Sequence, residues 1–214
     1  MPVPDTAVMA RPSSVPLVRD AVPADYPAIR KVVIAAYRQY ADLLNRDVFS
    51  PHLADLLDLE THAHHGRLLV AEEDGRIRAS GAFYPDASVQ GVGWPTGWAS
   101  GRALAVDPAA RGHGVARALM ATGERLTQDG GSPVLAFHTH SYMTTAIALY
   151  ERLGYQRVPE FDFDIPSRYS RFGVPPVTSL AYLRCLHPVQ ASSEGARHDH
   201  DSAASAHIEK RNHR

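Results

Sequence analysis

The 214-residue chain has one cysteine, Cys185, so no disulfide within the chain can staple its fold. Such sparing use of cysteine fits a reducing compartment, and a cytoplasmic location is expected. No apolar run approaches the roughly 20 residues that a membrane-spanning helix needs. The first residues, MPVPDTAVMARPSS, contain no apolar core of signal-peptide length. A basic surplus is missing as well. The count is 22 Lys+Arg against 23 Asp+Glu, a net charge of -1, which argues against a protein that coats nucleic acid. Neither nucleic acid nor membrane is an expected partner, and there is no internal repeat. What remains is an ordinary globular composition, 44% hydrophobic and 21% charged, sufficient for a sizeable core.

The two ends read differently from the middle. Residues 1–14 hold three prolines and no hydrophobic period, and a flexible leader is expected there. Residues 188–214 are rich in Ser, Ala, His and charge. From Gln190 onward there is no aromatic residue and one large aliphatic, Ile208. Such a segment buries too little to offset its ordering entropy, so a disordered His-rich tail is expected. One folded domain then spans 15–187.

Period and punctuation predict the elements. Short strands are expected at Val15–Arg19, Arg102–Val106, Pro133–His138, Tyr155–Val158 and Ser179–Leu186. A hairpin is expected from Leu68–Glu72 and Ile77–Tyr84 across Asp74-Gly75. Pro23–Leu44 reads as a helix, since Ile29, Val32, Val33, Ala36, Tyr37 and Tyr40 recur at helical steps. Further helices are expected at Pro51–Leu59, at Val115–Gln128, and at Tyr142–Leu153 with Ser141 as its cap. The order β-α-α-β-β-β-α-β-α-β-β predicts a mixed α/β fold, a central sheet with helices on its faces.

The informative stretch is Leu104-Ala-Val-Asp-Pro-Ala-Ala-Arg-Gly-His-Gly-Val-Ala-Arg-Ala-Leu119. A strand ends at Val106, Asp107-Pro108 turns the chain, and Arg111-Gly-His-Gly-Val-Ala116 opens a helix. The two glycines let main chain approach a ligand closely. Free N–H groups at a helix start converge on one spot and suit a phosphate or pyrophosphate. Arg111 adds a candidate charge-assisted bond. A dinucleotide fingerprint would need a third glycine where Arg117 stands, and a P-loop would need Gly-Lys-Ser/Thr; neither fits. The glycines alone leave open a strand-to-helix turn without a ligand.

The pattern Arg111, Gly114, Ala116, directly after L-A-V-D-P, resembles the acyl-CoA signature of the GNAT superfamily of N-acetyltransferases. A second block, Ala146-Ile-Ala-Leu-Tyr-Glu-Arg-Leu-Gly-Tyr155, resembles that superfamily's later A-x-x-L-Y-x-x-x-G-F/Y segment. The resemblance implies a mixed, mostly antiparallel central sheet whose fourth and fifth strands splay apart, with helices on both faces. It implies acetyl-CoA as cosubstrate and no metal. The pantetheine arm would lie against the main chain of Leu104, Ala105 and Val106. The pyrophosphate would lie on the amides of Arg111, Gly112, His113, Gly114, Val115 and Ala116. Tyr150 matches the tyrosine that protonates the leaving thiolate, a step its phenol suits. The superfamily often starts the helix before this tyrosine with asparagine; here Met143 stands there, and Thr145 is a candidate to replace the lost polar contact. The side chain of His113 occupies a variable position and reads as a solvent-facing loop residue.

A fourth-strand carboxylate is a common base in the superfamily, yet Ala99-Ser-Gly-Arg102 contains none. His138 and His140 are the candidate bases; they alternate along a strand and so share a face. Glu160, Asp162 and Asp164 read as a solvated acidic edge able to attract an amine. His62, His64 and His65 read as a polar loop rather than a metal site. Trp94 and Trp98 occupy a Gly/Pro-rich loop, where they are candidates for lining an acceptor site or a dimer contact. The resulting expectation is direct acetyl transfer to a primary amine of a small molecule, by a monomer or homodimer. A protein or peptide acceptor and a non-catalytic CoA-binding protein are the alternatives.

Overall fold

The computed structural model describes residues 15–44, 46–164 and 177–186. The expected leader and the tail beyond 187 lie outside them. The strands are β1 (Leu17–Asp20), β2 (Arg67–Glu73), β3 (Arg76–Tyr84), β4 (Ala99–Val106), β5 (Val134–His140), β6 (Gln156–Arg157), β7 (Phe163–Asp164) and β8 (Thr178–Cys185). The helices are α1 (Tyr26–Tyr37), α2 (Arg46–Leu56), α3 (Leu59–His65), α4 (Val115–Asp129) and α5 (Thr144–Arg152). No helix among the described residues is long and apolar enough to cross a membrane.

Packing divides the chain into two compact units. Of the described residues, the first takes those from 15 to 82 and Arg102–Thr122; the second takes Phe83–Gly101, Gly123 through 164, and 177–186. In the first, β1 pairs antiparallel with β2, with Leu17 opposite Glu72. Arg19 on β1 ties the N-terminal strand by binding both Asp25 and Glu72. In α1, Ile29, Val32, Val33, Ala36 and Tyr37 form the buried stripe that their spacing predicts. Burying each of the larger ones contributes roughly 1.5–3 kcal/mol.

In the second unit β5 pairs parallel with β4 on one side and antiparallel with β8 on the other. The sheet is therefore mixed and mostly antiparallel, as the fold class expected. The β4–β5 ladder joins Ala99–Gly101 to Leu135–Phe137, three pairs, although β4 continues to Val106 and β5 to His140. Seven pairs join β5 to β8, from Val134–Cys185 to His140–Ser179.

Several boundaries differ from expectation. α1 stops at Tyr37 and tightens into one 3-10 turn at Arg38–Tyr40, well before Leu44. α2 starts at Arg46, upstream of Pro51; proline favours the start of a helix but does not prevent one from starting before it. The three clustered histidines lie on α3 rather than on a loop. Its N-cap Asp58 accepts a bond from the Thr61 N–H, and His62 is buried. β4 begins at Ala99, not Arg102. The cap of α5 is Met143, which makes no side-chain cap bond, rather than Ser141.

Two glycines are required for space. An added Cβ on Gly101 would stand 1.9 Å from Cε1 of Phe137, and one on Gly123 would stand 1.9 Å from Cε1 of Phe83. Overpacking of this kind costs about 1–3 kcal/mol. Gly101→Ala and Gly123→Ala are each expected to lower the melting temperature by several degrees, on the order of 2–4 °C per kcal/mol. Calorimetric melting of both variants beside the parent protein checks this.

Candidate functional site

The candidate residues fall into two groups, one in each unit. In the first, β4 ends and hands the chain to a turn. The N–H of Asp107 donates to the Arg78 carbonyl on β3 at 2.7 Å. Because main-chain groups alternate along an extended strand, the N–H and C=O of Val106 and Leu104 are directed away from β3, and those of Ala105 toward it. The Leu104 carbonyl accepts the Tyr37 hydroxyl at 3.3 Å. Burial pushes the Tyr37 phenol well above its ordinary pKa, so it stays a neutral donor. Beside it, Ala103 holds a left-handed φ of 53° inside the strand. That conformation is costly for a residue with a Cβ, and such strain concentrates at functional positions. The sequence shows no sign of it.

Asp107 organises the start of the turn. Its carboxylate accepts the Ala109 N–H at 3.0 Å and a bond from Arg78 at 2.8 Å. The Ala109 amide holds the carboxyl below its ordinary pKa; partial burial opposes this and Arg78 adds to it. Gly112 and Gly114 then take left-handed φ values of 86° and 83°, and nothing lies within 4 Å of a Cβ built on either. Arg111, Gly112, His113 and Gly114 are exposed, Val115 is buried and Ala116 half-buried. The turn is therefore open and ends in the N-terminus of α4. This geometry suits an anion that approaches main chain closely.

Sequence reasoning missed what surrounds the turn. His113 is not simply solvent-facing: its Nδ1 lies 3.2 Å from Oε2 of the buried Glu73. Arg102 pairs with Asp55 from α2. His52 on α2 packs edge-on to Tyr37, and burial, followed by the Arg102 charge, pulls its pKa down to about 4. His113 and Glu73 stand 40 positions apart and Arg102 and Asp55 47, so no local pattern announces them.

In the second unit Tyr150 on α5 is 4% exposed. Its ring stacks on Phe137, with centroids 5.1 Å apart, and adjoins Tyr155 and Tyr182. Tyr155 donates to Glu124, which also receives Arg184. Met143 is buried, and its sulfur accepts the Thr139 hydroxyl at 3.5 Å; Thr145 is exposed.

His138 lies among aromatic rings on the other face of β5. It stacks on Trp94 at 4.2 Å and meets Phe163 edge-on at 4.8 Å. Its Nε2 is 2.9 Å from the Phe161 carbonyl, so Nε2 carries the hydrogen. His140 stacks on Tyr142. Trp94, expected on an exposed loop, is buried against Val134, Ala136, Ala181 and Leu183. Trp98 and Phe161 pack on the same cluster and stay partly exposed. Asp162 is tied to Arg157 and to the Ala181 N–H, whereas Glu160 and Asp164 are exposed. Among the described residues no group of three His, Cys, Asp or Glu is placed to hold a metal ion.

The model of the acetyltransferase (GNAT) family matches residues 35–155. No curated protein matches the sequence. Among solved structures, the acetyltransferase YncA of Salmonella typhimurium with acetyl-CoA aligns with a TM-score of 0.55 at 22% identity, over 87% of this chain and 99% of that one. A GNAT-family acetyltransferase from Brucella melitensis in complex with acetyl-CoA aligns at 0.52 and 21%, over 86% and 96%. PaiA N-acetyltransferase from Thermoplasma acidophilum in complex with coenzyme A aligns at 0.60 and 10%, over 80% and 99%. At these identities the likeness is one of fold.

Asp107→Ala removes the bond that starts the turn and should cost about 1 kcal/mol at neutral pH. The sign follows from the depressed pKa. The stabilisation is fully present above the unfolded value, near 4, and is lost as pH falls through the lower folded value. Melting curves of parent and variant should therefore converge as pH falls below the ordinary carboxylate range.

Proposed function

The chain belongs to the GNAT acetyltransferase family, with acetyl-CoA as cosubstrate, and on that premise we propose that it acetylates a primary amine of a small molecule by direct transfer. The bound thioester supplies an activated acetyl group with a thiolate as leaving group. The open main chain of Leu104 and Val106 would hold the pantetheine arm. The amides of Gly112, Gly114, Val115 and Ala116, with the two left-handed glycines keeping side chains out of the way, would hold the diphosphate, while those of Arg111 and His113 donate within the turn to Pro108 and Ala110. Thr145, exposed on the first turn of α5, would add a polar contact. The Val106 N–H, directed away from β3, is the donor proposed for the oxyanion that develops as the amine attacks. Holding both reactants together supplies much of the acceleration.

Tyr150 is proposed as the general acid that protonates the departing sulfur. The observation that carries this is its fixed ring: stacking on Phe137 inside an aromatic cluster lets the hydroxyl return to one place in every turnover. His138 and His140 are the proposed acceptors of the ammonium proton. With Nε2–H committed to the Phe161 carbonyl, the neutral His138 ring carries its lone pair on Nδ1.

A small cationic amine is favoured by the groups near His138. Trp98, Phe161 and Phe163 are partly exposed, and Glu160 and Asp164 lie in the same segment. Aromatic faces beside carboxylates suit an alkylammonium.

Turnover of acetyl-CoA across a panel of small amines and N-terminal peptides tests the acceptor class. Acetylation of peptides alone would overturn the small-molecule proposal, and acetyl-CoA binding without thioester consumption with any acceptor would favour a non-catalytic CoA-binding protein. Tyr150→Phe is expected to lower kcat about 100-fold, the low end of a general-acid contribution. Its acetyl-CoA affinity should stay within about twofold. An unchanged kcat would remove Tyr150 from the acid role.

A further inference from the structure

We infer that His113 is a positioning residue for the diphosphate of the cosubstrate, held in place by Glu73; this rests on the reading of the Arg111–Ala116 turn above. His113 stands between two left-handed glycines, φ 86° and 83°. Glycine loses more main-chain freedom on ordering than any other residue. A turn that must aim several N–H groups at one anion binds more weakly when that freedom is surrendered only on binding. An anchor midway between the glycines removes the freedom beforehand.

Glu73 supplies the anchor. It closes β2, and its side chain is 5% exposed. The carboxylate is an acceptor only, so the His113 Nδ1, 3.2 Å away, carries the hydrogen and donates. The carboxylate oxygen sits on β2 and gives the ring a fixed point on the sheet. The other side-chain tether from the turn, Arg111 to Gln39, is longer at 3.4 Å and exposed. With Nδ1 engaged, Nε2 stands at the opposite edge of a side chain that is 45% exposed. The ring is thus fixed at one nitrogen, and the main chain between the two glycines is fixed with it.

The test compares acetyl-CoA with S-acetylpantetheine, which has the thioester arm but neither diphosphate nor nucleotide. Affinity for both, kcat and melting temperature are measured for the wild type, H113A, H113N and E73Q. The wild type should prefer acetyl-CoA. H113A should bind acetyl-CoA about tenfold more weakly, with S-acetylpantetheine affinity and saturating kcat within about twofold. In H113N an amide N–H replaces Nδ1, and in E73Q an acceptor remains; each should stay within about threefold of wild type for acetyl-CoA. If H113A does not fold, these two variants carry the test, and a larger loss in either overturns the anchor. An H113A protein that weakens both donors alike, or neither, overturns the role of His113. A wild type with no preference for acetyl-CoA overturns instead the placement of the diphosphate on this turn.

Discussion

The Phe137 ring needs a neighbouring strand position with no side chain. Gly101 is its partner in the β4–β5 ladder, and the ring fills the space where a Cβ would stand. On the same ring stacks Tyr150, and Tyr155 and Phe83 meet it edge-on. Phe83 in turn lies over Gly123 of α4. A line of Gly101, Phe137, Phe83 and Gly123 therefore joins β4, β5, β3 and α4 through contacts that tolerate no added methyl. The orientation of the proposed acid depends on this line, because Tyr150 has its ring plane set by Phe137. Neither glycine has a positive φ, so each is there for room alone.

Gly112 and Gly114 serve the opposite need. They have open space above them and left-handed main chain beneath. This difference explains what was legible in the sequence. A left-handed turn is a local device, written in adjacent residues with a strand before and an amphipathic helix after, so the stretch Leu104–Leu119 announced its structure. Gly101 and Gly123 look like weak spots in a strand and a helix, and their reason appears only with the ring that each accommodates. The same holds for Glu73. At the end of a hairpin strand it reads as a solvated charge, yet the fold buries it and brings it to His113. Ala103 is the extreme case. Nothing in Arg102-Ala-Leu marks a left-handed residue, since the strain is imposed by neighbours and not by its own chemistry.

Periodicity read more of the fold than capping did. The stripe on α1 and the alternation on β5 are averages over many residues, so one misplaced residue does not spoil them. Helix ends rest on single side chains. Ser141 looked like a cap for α5, but the helix starts after Met143, whose sulfur is drawn into the interior by the Thr139 hydroxyl. α3 was missed because Thr61–His65 is polar with a weak apolar period; its start depends on one Asp58–Thr61 bond.

The period of two on β5 has a chemical consequence. Phe137 and Thr139 are buried on the face that carries Tyr150, whereas His138 faces Trp94 and Phe163. Acid and base candidates therefore stand on opposite faces of one strand. A proton given to sulfur and a proton taken from an amine need not share a group. The environments differ to match. The phenol ring lies stacked among aromatic rings, and the imidazole has Nε2 tied to the Phe161 carbonyl. A single residue inserted or deleted between Val134 and His138 would exchange these faces. The β5–β8 ladder resists such a slip with seven consecutive pairs, so the two faces are as secure as the register of that pair of strands.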